Sequence, residues 1–461
     1  MLIGIAICLI PVPQGLQPKA WYYFALFTAV IVGLILEPIP AGAIGLIGVT
    51  LAGSLLIVAP KPADSLRWVL SGFSNGTVWL IFVAYMFAMG YEKTGLGRRI
   101  ALNLVKLLGK KTLGLGYAIA IADLILSPFT PSNTARSGGT IFPIIKNIPP
   151  LYGSLPGETA RKIGSYIMWT ALACTCVTSS MFITALAPNL LALDLVNKTA
   201  KVSITWTEWF VGFLPVGLLL FLLVPSLVYK IYPPTVKMSE DVVVWASQEL
   251  SKIGKITRKE LIMALLAIYA LTLWILGSSW FDATIVALMV LGLMILTGIV
   301  KWDDVLNYTQ AWNVLVWFAT LVTLADGLRL VKFLDWFATI TAGAMKGMPV
   351  VMVVASFVAI FFIVHYMFAS LTAHTTALLP VFLVAGMAVP GMPVKLLAMM
   401  FCYTLGLMGI ITPYATGPSP IYYGSGYIER KDFWILGLIF GLIFLIVFLV
   451  VGYPYMRWVV T

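Results

Sequence analysis

Two polar knots interrupt long apolar stretches of the chain, Ser132-Asn133-Thr134-Ala135-Arg136 and Ser370-Leu371-Thr372-Ala373-His374. Each sets hydroxyl side chains beside a basic residue two positions after the threonine. Ser, Asn and Thr are residue types that cap helix N-termini, and the ends they cap carry partial positive charge that attracts carboxylates and phosphates. Pro128 and Pro131 end whatever helix precedes the first knot, because proline cannot continue it. A half-helix starting at each knot aims its positive end inward. Two such ends facing each other make a site for an anion with two negative groups. Arg136 and His374 add cationic character: an arginine at mid-membrane costs roughly 2.5–3.5 kcal/mol on insertion scales, so it is expected to face a cavity or an opposite charge. His365, on the flank before the second knot, has no repeat counterpart and reads as a hydrogen-bonded structural residue. Asp123 and Asp326 lack matching copies and read as structural.

The elements that must hold the knots are membrane helices. Of the 461 residues 61% are hydrophobic and 10% charged, against about a quarter charged in a soluble domain. Stretches of about 20 apolar residues cross the hydrocarbon core, and spans are predicted at roughly 19–37, 41–59, 74–92, 163–187, 208–232, 259–277, 282–300, 309–327, 393–413 and 430–455. Met1 to Pro11 is too short to span alone, and it lacks the basic start and small-residue cleavage site of a signal peptide. Segments 113–150 and 348–390 have flanks of roughly 15 residues around their knots, too short to span. Each is predicted to be a re-entrant hairpin, whose irregular tip must be buried or line a cavity.

The net charge of +11 sits in loops and does not indicate nucleic acid. Lys93, Arg98, Arg99, Lys106, Lys110 and Lys111 fall among apolar positions, as in a helix lying in the interface. The polar stretch Tyr232 to Glu260, with Lys237, Lys252, Lys255, Arg258 and Lys259, lies on the same side, which the positive-inside rule makes cytoplasmic. Neither cluster needs a partner beyond lipid headgroups. Cys8, Cys174, Cys176 and Cys402 all lie in apolar runs without an adjacent histidine, so packing is expected rather than metal or redox chemistry. An intramembrane enzyme would need a nucleophile–base pair, a metal cluster or paired acids, and the sequence offers none. No repeated pore-lining ring argues for a channel.

The oddities come in pairs because the chain is two related halves. "GTVWLIFVAYMFAMG" (Gly76–Gly90) matches "WNVLVWFATLVTLADG" (Trp312–Gly327), and each leads to an amphipathic segment, Lys93–Lys111 or Arg329–Lys346, and then to a knot. Beyond each knot comes a span ending in a broken Pro/Gly-rich turn, Ile183–Ala192 or Ile411–Gly426, containing Ala185, Pro188 and Asn189 or Ala415, Gly417 and Pro418. A final span opens with Glu208-Trp209-Phe210 or Asp432-Phe433-Trp434. An odd number of expected crossings separates the copies, so the second is inverted. Inverted repeats with interrupted helices at matching positions point to a secondary transporter.

At these residues the chain resembles, over almost its whole length, the divalent anion:sodium symporter family of di- and tricarboxylate transporters. The likeness is strongest to the branch of 2-oxoglutarate/malate translocators and citrate or tartrate/succinate antiporters. The Ser-Asn-Thr hallmark stands intact at Ser132, Asn133 and Thr134, whereas Leu371 replaces asparagine between Ser370 and Thr372. The resemblance implies an all-α polytopic fold of two inverted repeats, each with a re-entrant helical hairpin and a broken transmembrane helix, forming a scaffold and an elevator-type transport domain. It assigns 1–92 to the N-terminal and scaffold helices, 93–207 to the first transport segment, 208–232 to the last helix of the first repeat and 233–258 to the cytoplasmic linker. It assigns 259–328 to the second scaffold set, 329–429 to the second transport segment and 430–461 to the last helix. Substrate contacts are expected from Ser132, Asn133, Thr134, Ser370, Leu371, Thr372 and Thr416. The Gly-Thr-Pro-Pro-Asn type turn of sodium-using relatives is altered in both copies. Arg136 and His374 are therefore expected to stand as fixed cations in place of sodium. The expectation is a homodimeric, sodium-independent exchanger of C4/C5 dicarboxylates, in a bacterial plasma membrane rather than a plastid envelope, with no cofactor. The alternative is a sodium-coupled symporter of divalent anions.

Overall fold

In hydrocarbon every backbone N–H and C=O has to pair within its own segment, which leaves helices as the element these apolar runs can form. The structure, a computed structural model, describes residues 2–460 apart from Glu37, Ser239, Ser278 and 345–347. Lys346, the expected end of the second amphipathic segment, lies outside the described residues. A short helix α1 (Leu2–Cys8) packs on α2 (Pro18–Leu36), and α3 (Ala41–Ser54), α4 (Pro62–Leu70) and α5 (Gly76–Thr94) follow. Gly95, at φ 75°, turns the chain into the amphipathic α6 (Leu96–Leu108). The first hairpin has α7 (Thr112–Leu126) as its outgoing arm and a π-helical stretch, Thr134–Ile141, continued by α8 (Phe142–Ile145), as its return. Helix α9 (Gly164–Met181) breaks and resumes as α10 (Ala187–Ala200); α11 (Trp206–Ile231) and the linker helix α12 (Glu240–Ile253) complete the first half.

The second half repeats the order. It runs α13 (Arg258–Leu276), α14 (Ala283–Leu296), α15 (Trp302–Asn307), α16 (Thr309–Leu330) and α17 (Phe333–Ala344). The second hairpin is α18 (Val350–Val364) and α19 (Leu371–Met387); α20 (Val394–Leu407) breaks before α21 (Pro418–Gly424), and α22 (Arg430–Val447) leads to α23 (Tyr453–Val460). Thr205 with Glu208 and Thr257 with Glu260 form capping boxes that start α11 and α13. All ten predicted spans fall on helices: α2, α3, α5, α9, α11, α13, α14, α16, α20 and α22. Among the described residues eight helices are long and apolar enough to cross a membrane, two of them being the outgoing hairpin arms, and the chain is a multi-pass membrane protein.

The first hairpin leaves on the side where it began. Thr112 at its start donates its N–H to Lys237 O (3.0 Å), and past its end Val236 N–H reaches Lys162 O (2.9 Å) and Thr235 N–H reaches Arg161 O (3.2 Å). Both ends are thus tied to one stretch of linker. In the second hairpin, ring contacts set Phe361 of α18 against Phe382 of α19 (5.5 Å) and Phe357 against Phe382 (5.7 Å), so the arms lie antiparallel. The inversion of the halves is visible in two polar contacts. Tyr232 at the end of α11 donates to Asp432 at the start of α22 (2.6 Å), whereas Glu208 in the first turn of α11 meets Lys395 in the first turn of α20 (2.5 Å). Helix α9 begins beside Tyr427 on the linker side (Ser165 Oγ to Tyr427 O, 2.7 Å) and α20 begins on the other.

Two expectations fail here. Cys8 is exposed, while Cys174, Cys176 and Cys402 are buried as predicted. The basic cluster on α6 does have protein partners: Arg98 pairs with Glu249 (2.8 Å), and Arg99 pairs with Glu260 (2.6 Å) and donates to the carbonyl of Gly254 (2.8 Å). The linker forms a helix that lies on α6, so lipid headgroups are not the sole answer to that charge.

Candidate functional site

The first knot starts a helix by its own chemistry. Ser132 Oγ accepts the Ala135 N–H (3.2 Å), a capping bond. Arg136 then turns away from solvent and is fully buried. Its Nε–H donates to Asp123 Oδ2 (3.1 Å), one terminal nitrogen to the carbonyls of Thr130 (2.9 Å) and Ala185 (2.8 Å), and the other to the hydroxyls of Thr175, Thr178 and Ser179 (3.3, 3.4 and 3.1 Å). Thr178 also donates to Asp123. The three hydroxyls share one face of α9 because i, i+3 and i+4 do. Carbonyl, hydroxyl and carboxylate oxygens are the ligands a hard cation would take, and here a guanidinium fills that cage. It also bolts the hairpin tip to the broken turn, where Thr184 Oγ1 donates to Pro128 O (2.5 Å) and Ala187 N–H to Pro131 O (2.7 Å).

The second knot is built differently on the same plan. Ser370 Oγ accepts the Ala373 N–H (3.3 Å) and caps α19. His374 is fully buried, its ring edge-on to Phe361 (4.3 Å) and 5.0 Å from the rings of His365 and Phe368. The broken turn is met by His365, whose Nε2 lies 2.8 Å from Ala415 O. Ala185 and Ala415 are the matching residues of the two turns. His365 therefore does on the second turn what Arg136 does on the first; it is hydrogen-bonded, as expected, and the position that matches it in the first hairpin is Ser127. The two breaks are fastened alike: Asn189 donates to Ser179 O (2.8 Å) and Phe182 O (3.2 Å), and Ser419 to Gly409 O (3.1 Å). Pro188 and Pro418 sit at the first positions of the resumed helices, where the missing N–H is no loss.

The knots meet across the repeats. Asn133 Nδ2 donates to Thr416 Oγ1 (2.8 Å), joining the first tip to the second turn. Beside it a Cβ on Gly417 would lie 1.8 Å from Thr134 Oγ1, so only glycine permits that approach. Ser137 and Tyr422 hydroxyls lie 2.8 Å apart one helical turn further on. On the other side of the pseudo-twofold, α10 of the first half packs along α19 of the second. Ser132, Asn133, Thr372 and Thr416 are nearly buried, and Ser132 interacts with Tyr85 of α5. Leu371, expected among the substrate contacts, is buried in the apolar core.

Two cavities lie between the linker side and the first tip. A cavity of about 840 Å³ lies between α6, the end of the first hairpin and α12, with Lys146, Trp245 and Glu249 on its wall. Tyr91, Glu92, Gly139 and Thr140 also line a second cavity of about 290 Å³ that reaches Thr130, Thr134 and Ala135. The Glu249 carboxyl at the mouth is held below the usual glutamate range, by the hydrogen bond from Lys252 first and by Arg98 as well.

The structure brings together Ser132, Asn133, Thr134, Arg136, Ala185, Pro188 and Asn189 with Ala415, Thr416, Gly417 and Pro418. Ser370, Thr372 and His374 open the second hairpin's return arm. Asp123, read as merely structural, is the counter-ion of Arg136, and Asp326 pairs with Arg329 (2.8 Å). A lone acid in an apolar arm near a buried arginine was the signal for the first pair.

A family model described as the sodium:sulfate symporter transmembrane region matches residues 1–461. The chain is 50% identical over 461 residues to the citrate/succinate antiporter of Escherichia coli strain K12, covering 97% of this chain and 95% of that protein. It is 48% identical over 447 residues to the L-tartrate/succinate antiporter of Shigella sonnei, covering 94% and 92%. Two solved structures share the fold. The Alcanivorax borkumensis YdaH transporter matches with TM-score 0.56 at 18% identity, covering 96% of this chain and 99% of its own. Neisseria gonorrhoeae MtrF matches with TM-score 0.57 at 13% identity, covering 95% of each chain.

Proposed function

The chain belongs to the sodium:sulfate symporter family, the divalent anion:sodium symporters, and from that footing we propose that it exchanges small dicarboxylates across a bacterial inner membrane without sodium. Succinate, malate and 2-oxoglutarate are the substrates in view; relatives at 48–50% identity are antiporters of citrate or tartrate with succinate. The observation that carries the sodium-independent reading is the double occupancy of the broken turns. Ala185 O accepts from Arg136, and Ala415 O is met by His365. Oxygens already satisfied by fixed side chains have no need of a diffusible cation.

Arg136 does not act as a bare charge in this reading, because Asp123 cancels it. The anion is bound by the two capped helix ends and the hydroxyl and amide groups of Ser132, Asn133, Thr134, Ser370, Thr372 and Thr416. Hairpins and broken helices move together as an elevator against α2, α3, α5, α13, α14 and α16, which hold a second copy in a homodimer. With that charge cancelled, the restraint on return of the empty site falls on the partial positive charge of the two helix N-termini.

Vesicles reconstituted with the chain and loaded with succinate should take up labelled succinate in potassium or choline medium, and vesicles without internal substrate should take up almost none. Uptake that requires a sodium gradient would overturn the reading in favour of a symporter.

A further inference from the structure

The chain has two histidines, and they lie against each other beside the second tip, ring centroids 5.0 Å apart and nearly perpendicular. Nε2 of His365 faces the Ala415 carbonyl at 2.8 Å. A carbonyl only accepts, so that nitrogen carries a hydrogen and Nδ1 of neutral His365 is a lone pair. Nδ1 of His365 and both nitrogens of His374 have no protein partner among the described residues, although both side chains are fully buried. Buried polar atoms are rarely left so, and each such case asks for a role. Phe361 and Phe368 line the rest of the His374 ring, and among the described residues no group of His, Cys, Asp and Glu is large enough to hold a metal. A proton is the ligand that fits.

We propose that His365 and His374 form a proton-binding dyad, loaded when a tricarboxylate occupies the site and empty when a dicarboxylate does. The step makes and breaks only an N–H bond. Nδ1 of His365 or the free nitrogen of His374 takes a proton from water on the side to which the site is open, and releases it to water on the other. A trianion with one proton on the dyad carries the same charge as a dianion with none, so exchanging one for the other moves no net charge. The dyad is placed for this. Ala415 precedes Thr416, which accepts from the first tip, and His374 N–H bonds Ser370 O (3.0 Å) in the turn that Ser370 caps.

Among the described residues no other titratable side chain bears on the pair. On the elements packed against α19, namely α2, α10, α16, α17, α18 and α20, the charged residues are Lys19, Asp194, Lys198, Asp326, Arg329, Asp335 and Lys395. Asp194 pairs with Lys198, Asp326 with Arg329 and Lys395 with Glu208. Tyr22, Tyr23, Cys402 and Tyr403 are the remaining titratable groups there, Tyr366 follows His365 and its carbonyl accepts from Tyr414, and among the described residues His365 is the one that faces His374. This inference rests on the dicarboxylate-exchange reading.

Vesicles bearing the full chain, loaded with succinate and a pH-sensitive dye, are given external citrate or external succinate. Citrate uptake should acidify the interior and be insensitive to an imposed membrane potential, while succinate uptake should move no protons. In His365→Gln and His374→Gln the citrate-coupled proton flux should be lost and the residual citrate exchange should become potential-dependent. Potential-sensitive citrate exchange without proton movement in the unaltered chain overturns the dyad. Proton flux surviving in both variants does so too, because the proton then rides on citrate. Loss of succinate-for-succinate exchange would instead sink the exchange reading itself. A measurement free of variants uses the unaltered chain labelled with ¹⁵N-histidine, in which just these two residues report. Citrate should convert the pair to its protonated form and succinate should not; a pair that stays neutral with citrate bound overturns the proposal.

Discussion

The two half-sites use the same positions for opposite electrostatics. Nine residues before the tip serine and four after it, the first repeat has Asp123 and Arg136, and the second has Phe361 and His374. One pair is a buried ion pair at 3.1 Å; the other is an imidazole edge against a phenyl ring at 4.3 Å. What the hairpin needs at these positions is a clasp between its arms, and charge is one of two ways to make it. The ionic clasp also reaches the broken turn. The aromatic clasp does not, and a second histidine from the outgoing arm does that work.

The comparison is broken most directly through Asp123. Asp123→Asn leaves Arg136 buried without its counter-charge and should destabilise the protein by about 3–5 kcal/mol, whereas Phe361→Leu, close in volume, should cost under about 1.5 kcal/mol. Thermal unfolding in detergent reads both, and Asp123→Leu combined with Arg136→Met should recover most of the first loss. Equal, mild effects at the two positions would mean the ion pair is not the clasp described.

The tips come next. Alanine at Ser132, Asn133, Thr134, Ser370 or Thr372 should weaken succinate binding by about 1–3 kcal/mol, the cost of a lost bond to a charged group, with folding retained. Calorimetry showing unchanged affinity in all five would make the knots packing motifs. A smaller contrast lies in the turns. Asn189 holds two carbonyls and Ser419 one, so Asn189→Ala should lower stability more than Ser419→Ala, each bond contributing about 0.5–1.5 kcal/mol.

The smallest effect concerns the interfacial helices. Glu249 clamps α12 to α6 and has a depressed pKa, so its contribution is complete above the unfolded glutamate value and is lost as pH falls through the lower, folded one. Amide exchange in α6 and α12, corrected for its intrinsic pH dependence, should accelerate over that acidic range, and Glu249→Gln should remove the step. Helix α17, whose Trp336 indole donates to Gln14 O (3.0 Å), should show none. Matching acid profiles in α6 and α17 would show that this clamp does not distinguish the halves.

Local chemistry made much of this legible in the chain. Length and apolarity marked the ten spans, proline and N-cap residues marked the tips, and ordered similarity marked the two halves. Arg136 was identifiable because a mid-membrane arginine has few tolerable surroundings. Its partner carried a weaker signal, a lone acid in an apolar arm, and was read as structural because Asp123 has no repeat copy and the two meet only when the hairpin closes. His365 was read as a hydrogen-bonded residue and is one; its likeness to Arg136 lies in the carbonyl it meets, and sequence alignment of the repeats does not register that. Leu371 followed the family pattern into the expected contact set, and it is as buried as Ser132 and Thr372. The basic cluster on α6 was read as needing no partner beyond lipid headgroups because the partners of Arg98 and Arg99 lie some 150 residues away, at Glu249 and Glu260.

Among the described residues every partner of the Arg136 side chain, from Asp123 to Ala185, belongs to the first half of the chain. That has a bearing on the order in which the protein is made. The N-terminal half emerges first from the ribosome, when α19, α20 and α21 do not yet exist to cover it. A lone arginine in hydrocarbon would then be a liability. Here the carboxylate, the hydroxyls of α9 and the turn carbonyl are all in place before the second half is translated. The groups that must wait are uncharged: Asn133 for Thr416, and Ser137 for Tyr422. The nascent first hairpin can therefore rest in the bilayer with its charge already cancelled, and the late-arriving half supplies the second wall of the anion site without having to rescue the first.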